Sequence, residues 1–192
     1  MYNVKKVWVF ASGSGSNAEK LFAHFSDHAS IQITGLLCNN PSAGVIEKAR
    51  NANIGTFIIS NAELNVEGHL QELLSNNLVD YIILAGFLRK IPDDVVHAYS
   101  DKIINVHPAL LPKYGGKGMY GMHVHRAVKD ANETQTGITI HLVNEHYDEG
   151  RVLFQASADI DASDTSEDIA LKVQKLEHEH FANICEAFIM EH

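Results

Sequence analysis

Short apolar runs that alternate with helix-spaced segments dictate the fold class of this 192-residue chain. Val7-Trp8-Val9-Phe10-Ala11 is continuously apolar, Ser12 to Ser16 is a glycine-bearing turn, and Ala18, Leu21, Phe22 and Phe25 then recur at helical spacing. The order repeats. Ile31 to Cys38 predicts a second strand, Ala43 to Ala52 a helix and Thr56 to Ile59 a short strand. Leu64 to Leu74 predicts a helix, Val79 to Ala85 a buried strand, Asp93 to Tyr99 a short helix and Lys102 to Val106 a further strand. Strands covered on both faces read as unbroken apolar runs. The pattern therefore predicts an α/β fold, an open doubly wound, mostly parallel sheet with helices on both faces.

The later part of the chain changes character. Thr136 to Val143 and Arg151 to Ala158 are strand-like, and the acidic, glycine-ended connection from Asn144 to Gly150 predicts a hairpin and a mixed C-terminal part of the sheet. Ile169, Val173, Leu176, Ile184 and Phe188 follow helical spacing, with Asp164 as the expected N-cap and Glu167 three residues on. No linker-like tract or repeat interrupts the chain, and its apolar content of 45% suits one core. A single domain over residues 1 to 192 is expected.

The formal charge of −9 disfavours nucleic acid, whose binding rests on neutralised phosphates. No apolar stretch reaches membrane-spanning length, so no membrane partner is expected. The opening Met1-Tyr2-Asn3-Val4-Lys5-Lys6 lacks the apolar core of a signal peptide, and two distant cysteines, Cys38 and Cys185, suit a reducing compartment. The expectation is a cytoplasmic protein. Locally the balance reverses: Arg89, Lys90, Lys102, Lys113, Lys117 and Arg126 face only Asp93, Asp94 and Asp101 between residues 86 and 126. Such a region draws small anions, although solvated loop lysines would give the same count.

Four groups of residues carry candidate chemistry. Asn105 and His107 stand two apart at the end of a strand that Pro108 terminates, so both project to one face at the strand's carboxyl end. Crevices at such ends host ligands in open α/β sheets. An imidazole titrates near neutrality, and a neighbouring amide can donate to a developing oxyanion. Ser12-Gly13-Ser14-Gly15-Ser16-Asn17 joins the first strand to the first helix, where backbone amides and the helix N-terminus favour a phosphate. It lacks Gly-Lys-Ser/Thr, and Ala18 stands where a dinucleotide fingerprint has its third glycine, so a phosphate monoester fits better. A tight turn that needs glycine for its backbone alone is the other reading.

Asp148, in Tyr147-Asp148-Glu149-Gly150, is placed to orient a histidine and raise its pKa, or simply belongs to a common turn. His141, on the strand before it, is expected near the same crevice. The pairs His123-x-His125 and His178-x-His180 lack the third ligand of a metal site, and positions two apart diverge on a helix, so no metal is expected. Glu177 lies on the long closing helix.

Taken together, Asn105-x-His107-Pro108-x-Leu110-Leu111-Pro112 with the later Asp148-x-Gly150 resembles the folate-dependent formyltransferase family. Ser12-Gly13-x-Gly15-Ser16-Asn17, Leu84-Ala85-Gly86-Phe87-Leu88-Arg89 and Gln174-x-x-Glu177 extend the likeness over nearly the whole chain and narrow it to members that act on a ribonucleotide. The resemblance implies a Rossmann-related fold and transfer of the formyl group of 10-formyltetrahydrofolate to the amine of glycinamide ribonucleotide, a step of purine biosynthesis. It implies small-molecule substrates and a monomer or homodimer. Carried over, it makes Asn105, His107 and Asp148 the catalytic set, with His107 held protonated by Asp148. Gly15, Ser16, Asn17, Gln174 and Glu177 would bind the ribonucleotide. Leu88, Arg89, Lys90, Ile91, Asn105, Asn144, Glu145, His146, Tyr147 and Asp148 would bind the folate, which serves as cosubstrate. His123 and His141 match positions near the site.

Two stretches depart from the family pattern. Gly115 to Met122 is longer and richer in glycine than in many relatives, which suits a mobile lid, and Ser60 to His69 lacks an arginine that some relatives place near the folate tail. The same triad serves hydrolysis of the formyl donor, as in formyltetrahydrofolate deformylase, and the same fold serves noncatalytic phosphosugar binding.

Overall fold

The computed structural model describes residues 4–192; Met1 to Asn3, part of the segment expected to lack a leader, lie outside the described residues. The first half alternates strand and helix. β1 (Lys5–Ala11), α1 (Ser16–His24), β2 (Ile31–Cys38), α2 (Val45–Asn51) and β3 (Thr56–Ile58) are followed by α3 (Asn61–Leu64), α4 (His69–Asn76), β4 (Tyr81–Leu84), α5 (Asp93–Ala98) and β5 (Ile103–His107). The second half comprises α6 (Met122–Asp130), β6 (Gln135–Leu142), β7 (Val152–Asp159) and α7 (Ser166–Glu191). Seven strands form one sheet in the order β3-β2-β1-β4-β5-β6-β7. The pairs from β3 to β5 are parallel, and β6 and β7 pair antiparallel. Among the described residues no helix is long and apolar enough to cross a membrane.

Each central strand feeds two cores. Val7, Val9 and Ala11 of β1 pack with Ala18, Leu21, Val45, Ile169 and Val173 on one face, whereas Trp8 and Phe10 pack with Leu70, Leu74, Val95 and Val96 on the other. This period-2 division explains why the run has no polar residue. The order reverses between β1 and β4, which lie side by side although β2 and β3 intervene in the chain. Ser12 N–H donates to the Gly86 carbonyl at 3.0 Å just beyond both strand ends, so the chain opens there into a crevice.

Three sequence-based expectations change. The helix expected over Leu64 to Leu74 is two helices: Ser60 and Glu63 form a capping box on α3, and Gly68 at φ 77° breaks the path before α4. Leu64, Leu70 and Leu74 all reach the same core, which is why their spacing reads as continuous. The cap of α7 is Thr165, not Asp164, with Asp168 as its reciprocal partner; Asp164 instead holds Lys172 Nζ at 2.5 Å. The helix α6 was not expected, because the glycine-rich stretch before it masks the buried Val124 and Val128 spacing.

Candidate active site

Asn105 and His107 share the odd-numbered face of β5 with Ile103, and His107 is the strand's last residue. Antiparallel pairing sets Asn105 directly opposite His141 and His107 opposite Thr139. Asn105 Nδ2 lies 3.0 Å from His141 Nε2, while His141 Nδ1 lies 2.8 Å from the Leu142 carbonyl. A carbonyl can only accept, so the His141 proton sits on Nδ1 and Nε2 accepts from the Asn105 amide. One Asn105 N–H remains for another partner. By the same reasoning His107 Nε2, 2.8 Å from the Tyr114 carbonyl, carries a proton, and Nδ1 is the nitrogen that faces Asp148.

Asp148 closes the group from the β6–β7 connection. Its backbone takes the left-handed φ of 58°, a conformation that clusters at functional sites. Its carboxylate stands 3.5 Å from His107 Nδ1 and 3.6 Å from His141 Nε2, and accepts the Gly116 N–H at 2.8 Å. Burial works to raise the Asp148 carboxyl, but His141, His107 and the Gly116 N–H together hold it below the usual carboxylate range. Burial is also the largest influence on His107 and holds its imidazole below the usual range, against the opposing pull of Asp148 and the Tyr114 carbonyl. Burial and the Asp148 carboxylate thus pull the His107 imidazole in opposite directions, and burial is the larger of the two.

These groups floor a cavity of about 600 Å³, within the range of small-molecule sites. Asn17, Gln174 and Glu177 line it on the side of α1 and α7; Leu88, Arg89, Lys90, Ile91, Asn144, His146 and Tyr147 line it elsewhere. Asn17 Nδ2 donates to Glu177 Oε2 at 2.8 Å, leaving the buried Asn17 Oδ1 without a partner. Desolvation raises the Glu177 carboxyl, with the Asn17 N–H pulling the other way. Of the cations that line the cavity, Lys90 pairs with Asp93, while Arg89 and Lys117 have no ion-pair partner among the described residues.

Several expected residues lie differently. Gly15 and Ser16 do not line the cavity; Ser16 Oγ accepts from Gln174 at 3.2 Å just behind it. Glu145 turns away to pair with His97 at 3.0 Å. His123 is exposed and packs edge-on against Tyr120, whereas His125 is buried, lines the cavity and has an unpartnered Nδ1. Burial, with His107 adding to it, lowers the His125 imidazole. The signal for His125 was its place three residues before Val128 on a helical face, legible only once α6 is recognised. Gly116 to Gly121 line the cavity too, so the glycine-rich segment borders the reaction floor.

Ser12 ties two walls together. Its hydroxyl donates to Asn39 Oδ1 at 2.7 Å and accepts the Leu88 N–H at 3.0 Å. Gly15 turns the chain into α1 at φ 74°, and a Cβ there would stand 2.9 Å from the Val45 backbone. Gly15→Ala is expected to lower the unfolding free energy by about 2 kcal/mol or more, read from urea midpoints; an unchanged midpoint would mean that the turn relaxes freely.

The formyl transferase family model matches residues 5–185. Among curated relatives, the chain is 38% identical to phosphoribosylglycinamide formyltransferase, chloroplastic, of Arabidopsis thaliana over 97% of this chain, and spans 66% of that protein's length, just under two thirds. It is 36% identical to phosphoribosylglycinamide formyltransferase of Bacillus subtilis, covering 94% of this chain and 93% of the relative. The crystal structure of phosphoribosylglycinamide formyltransferase from Anaplasma phagocytophilum superposes with a TM-score of 0.85 at 31% identity, over 95% of this chain and 85% of the other.

Proposed function

The chain belongs to the formyl transferase family, and from that premise we propose that it transfers the formyl group of 10-formyltetrahydrofolate to the amine of glycinamide ribonucleotide, in purine biosynthesis. The observation that carries this reading is the convergence of Asn105, His107 and Asp148 on one cavity floor between two chemically different walls. Leu84, Phe87, Leu88, Ile91 and Val143 offer an apolar slot for a flat heteroaromatic ring, with backbone from 88 to 91 and 144 to 148 for its polar edge. On the other side Asn17 brings the first turn of α1 to the cavity, and the lack of a side-chain cap on that helix suits a phosphate there. The free Asn17 Oδ1, Gln174 and Glu177 suit a ribose and its amide.

Each residue then has a step. Neutral His107 accepts, at Nδ1, the proton that the attacking amine sheds as its nitrogen bonds to the formyl carbon. The imidazolium so formed lies beside Asp148, which stabilises the new charge. Asn105 donates its remaining N–H to the oxygen that gains charge as the carbon becomes tetrahedral. Collapse breaks the bond to the folate nitrogen, which leaves with a proton that His107 returns. We also propose a cytoplasmic setting and small molecules as the sole partners, in keeping with two free buried cysteines and the net charge of −9.

Incubation with 10-formyltetrahydrofolate, with and without glycinamide ribonucleotide, tests the reading by the release of tetrahydrofolate. Release only with the ribonucleotide is the expected result. Equal release into water alone would make the protein a hydrolase, and binding without release would make it a noncatalytic module.

A further inference from the structure

The proton on His107 is placed by a backbone carbonyl, and that carbonyl belongs to a residue in an unusual conformation. Tyr114 has φ 57°, in the left-handed region that side-chain-bearing residues avoid. Its carbonyl accepts His107 Nε2–H at 2.8 Å, which leaves Nδ1 as the nitrogen that faces the cavity and Asp148. The other end of the same residue is tied as well. The Tyr114 hydroxyl donates to Glu133 Oε1 at 2.9 Å, and Lys113 Nζ reaches the same oxygen at 2.8 Å.

Glu133 is well placed to act as an anchor. Its N–H donates to the Val128 carbonyl at the end of α6, so it stands in the turn that enters β6, the strand bearing His141. Tyr114 packs, partly buried, against the main core, and with Glu133 and Thr136 it also lines a separate cavity of about 260 Å³ behind the loop. Core packing holds one side of the ring, and on the cavity side the hydrogen bond to Glu133 is the contact that fixes the hydroxyl and, through it, the left-handed turn.

We infer that Tyr114 and Glu133 are positioning residues for His107: the phenol–carboxylate bond holds the Tyr114 turn, and the turn's carbonyl confines the imidazole proton to Nε2. The inference rests on the proposed role of His107 as the proton acceptor, and it extends the functional set to two residues that do not line the reaction cavity.

The test compares Tyr114→Phe, which removes only the hydroxyl, with Glu133→Ala and Glu133→Gln, whose amide oxygen still accepts the phenol proton. In substrate-free protein labelled with 15N-histidine, the His107 ring should carry its proton on Nε2 in the parent and share it between both nitrogens in Tyr114→Phe and Glu133→Ala. In turnover, both variants should lose about tenfold in kcat with each KM held within about twofold, while Glu133→Gln stays within about threefold of the parent. An unchanged tautomer in Tyr114→Phe would overturn the inference, as would a KM that rises in step with the loss of kcat. Parent protein that turns over without the ribonucleotide would sink the transfer reading instead, and the substrate-free tautomer measurement would still decide this one.

Discussion

Replacing His107 by alanine is expected to lower kcat about a thousandfold while the KM for the ribonucleotide moves by no more than about threefold. The split follows from where the groups sit. His107 is the last residue of β5, at the floor of the cavity, whereas Asn17, Gln174 and Glu177 belong to α1 and α7 and make their own hydrogen bonds. Loss of the imidazole removes the proposed acceptor for the amine proton and the group that returns a proton to the folate nitrogen, both of which matter only during reaction. Steady-state kinetics in both substrates give the answer. A KM that climbs as far as kcat falls would assign His107 to binding.

Asp148→Asn should cost kcat about a hundredfold or more, and it carries a second signature in pH. The acceptor form of His107 in the proposed reaction is the neutral one, so kcat/KM, which reports groups of the free enzyme, falls as acidity protonates the ring. In the parent the acid limb lies below the ordinary imidazole value of 6.5, because burial disfavours the cation by more than Asp148 favours it. Asparagine keeps an oxygen for the Gly116 N–H but removes the charge, and with it an influence that raises the His107 value. The acid limb should therefore move to still lower pH as the plateau drops. A limb that moves upward, or a plateau unchanged, would contradict the assignment.

Much of this arrangement was legible in the chain, and the exceptions have physical causes. The β1 run, the Asn105-x-His107-Pro108 stop and the hairpin around Asp148 were readable because strand parity and turn chemistry are local properties. The break at Gly68 was hidden, since Leu64, Leu70 and Leu74 keep reaching one core across it. Cap identity at Thr165 rather than Asp164 turned on a single residue, within the scatter of helix ends. His125 and Tyr114 escaped for a different reason. A residue whose backbone carbonyl carries the contact leaves no trace in its side-chain type, and a histidine on an unrecognised helix has no assignable face. The balance acting on His107 is only half legible, because a partner carboxylate is visible in sequence and the depth of burial is not.

The antiparallel pairing of β5 with β6 has a consequence for how preparations of this protein should be compared. Asn105 meets His141 only in one alignment of the two strands, and a slip by a single residue would turn His141 to the opposite face and bring an aliphatic neighbour, Ile140 or Leu142, across from the amide. Far-ultraviolet circular dichroism would barely notice, since the strands would still be paired. A molecule refolded out of this register would keep its ellipticity and lose the Asn105–His141 contact, so recovered ellipticity alone does not report a recovered site.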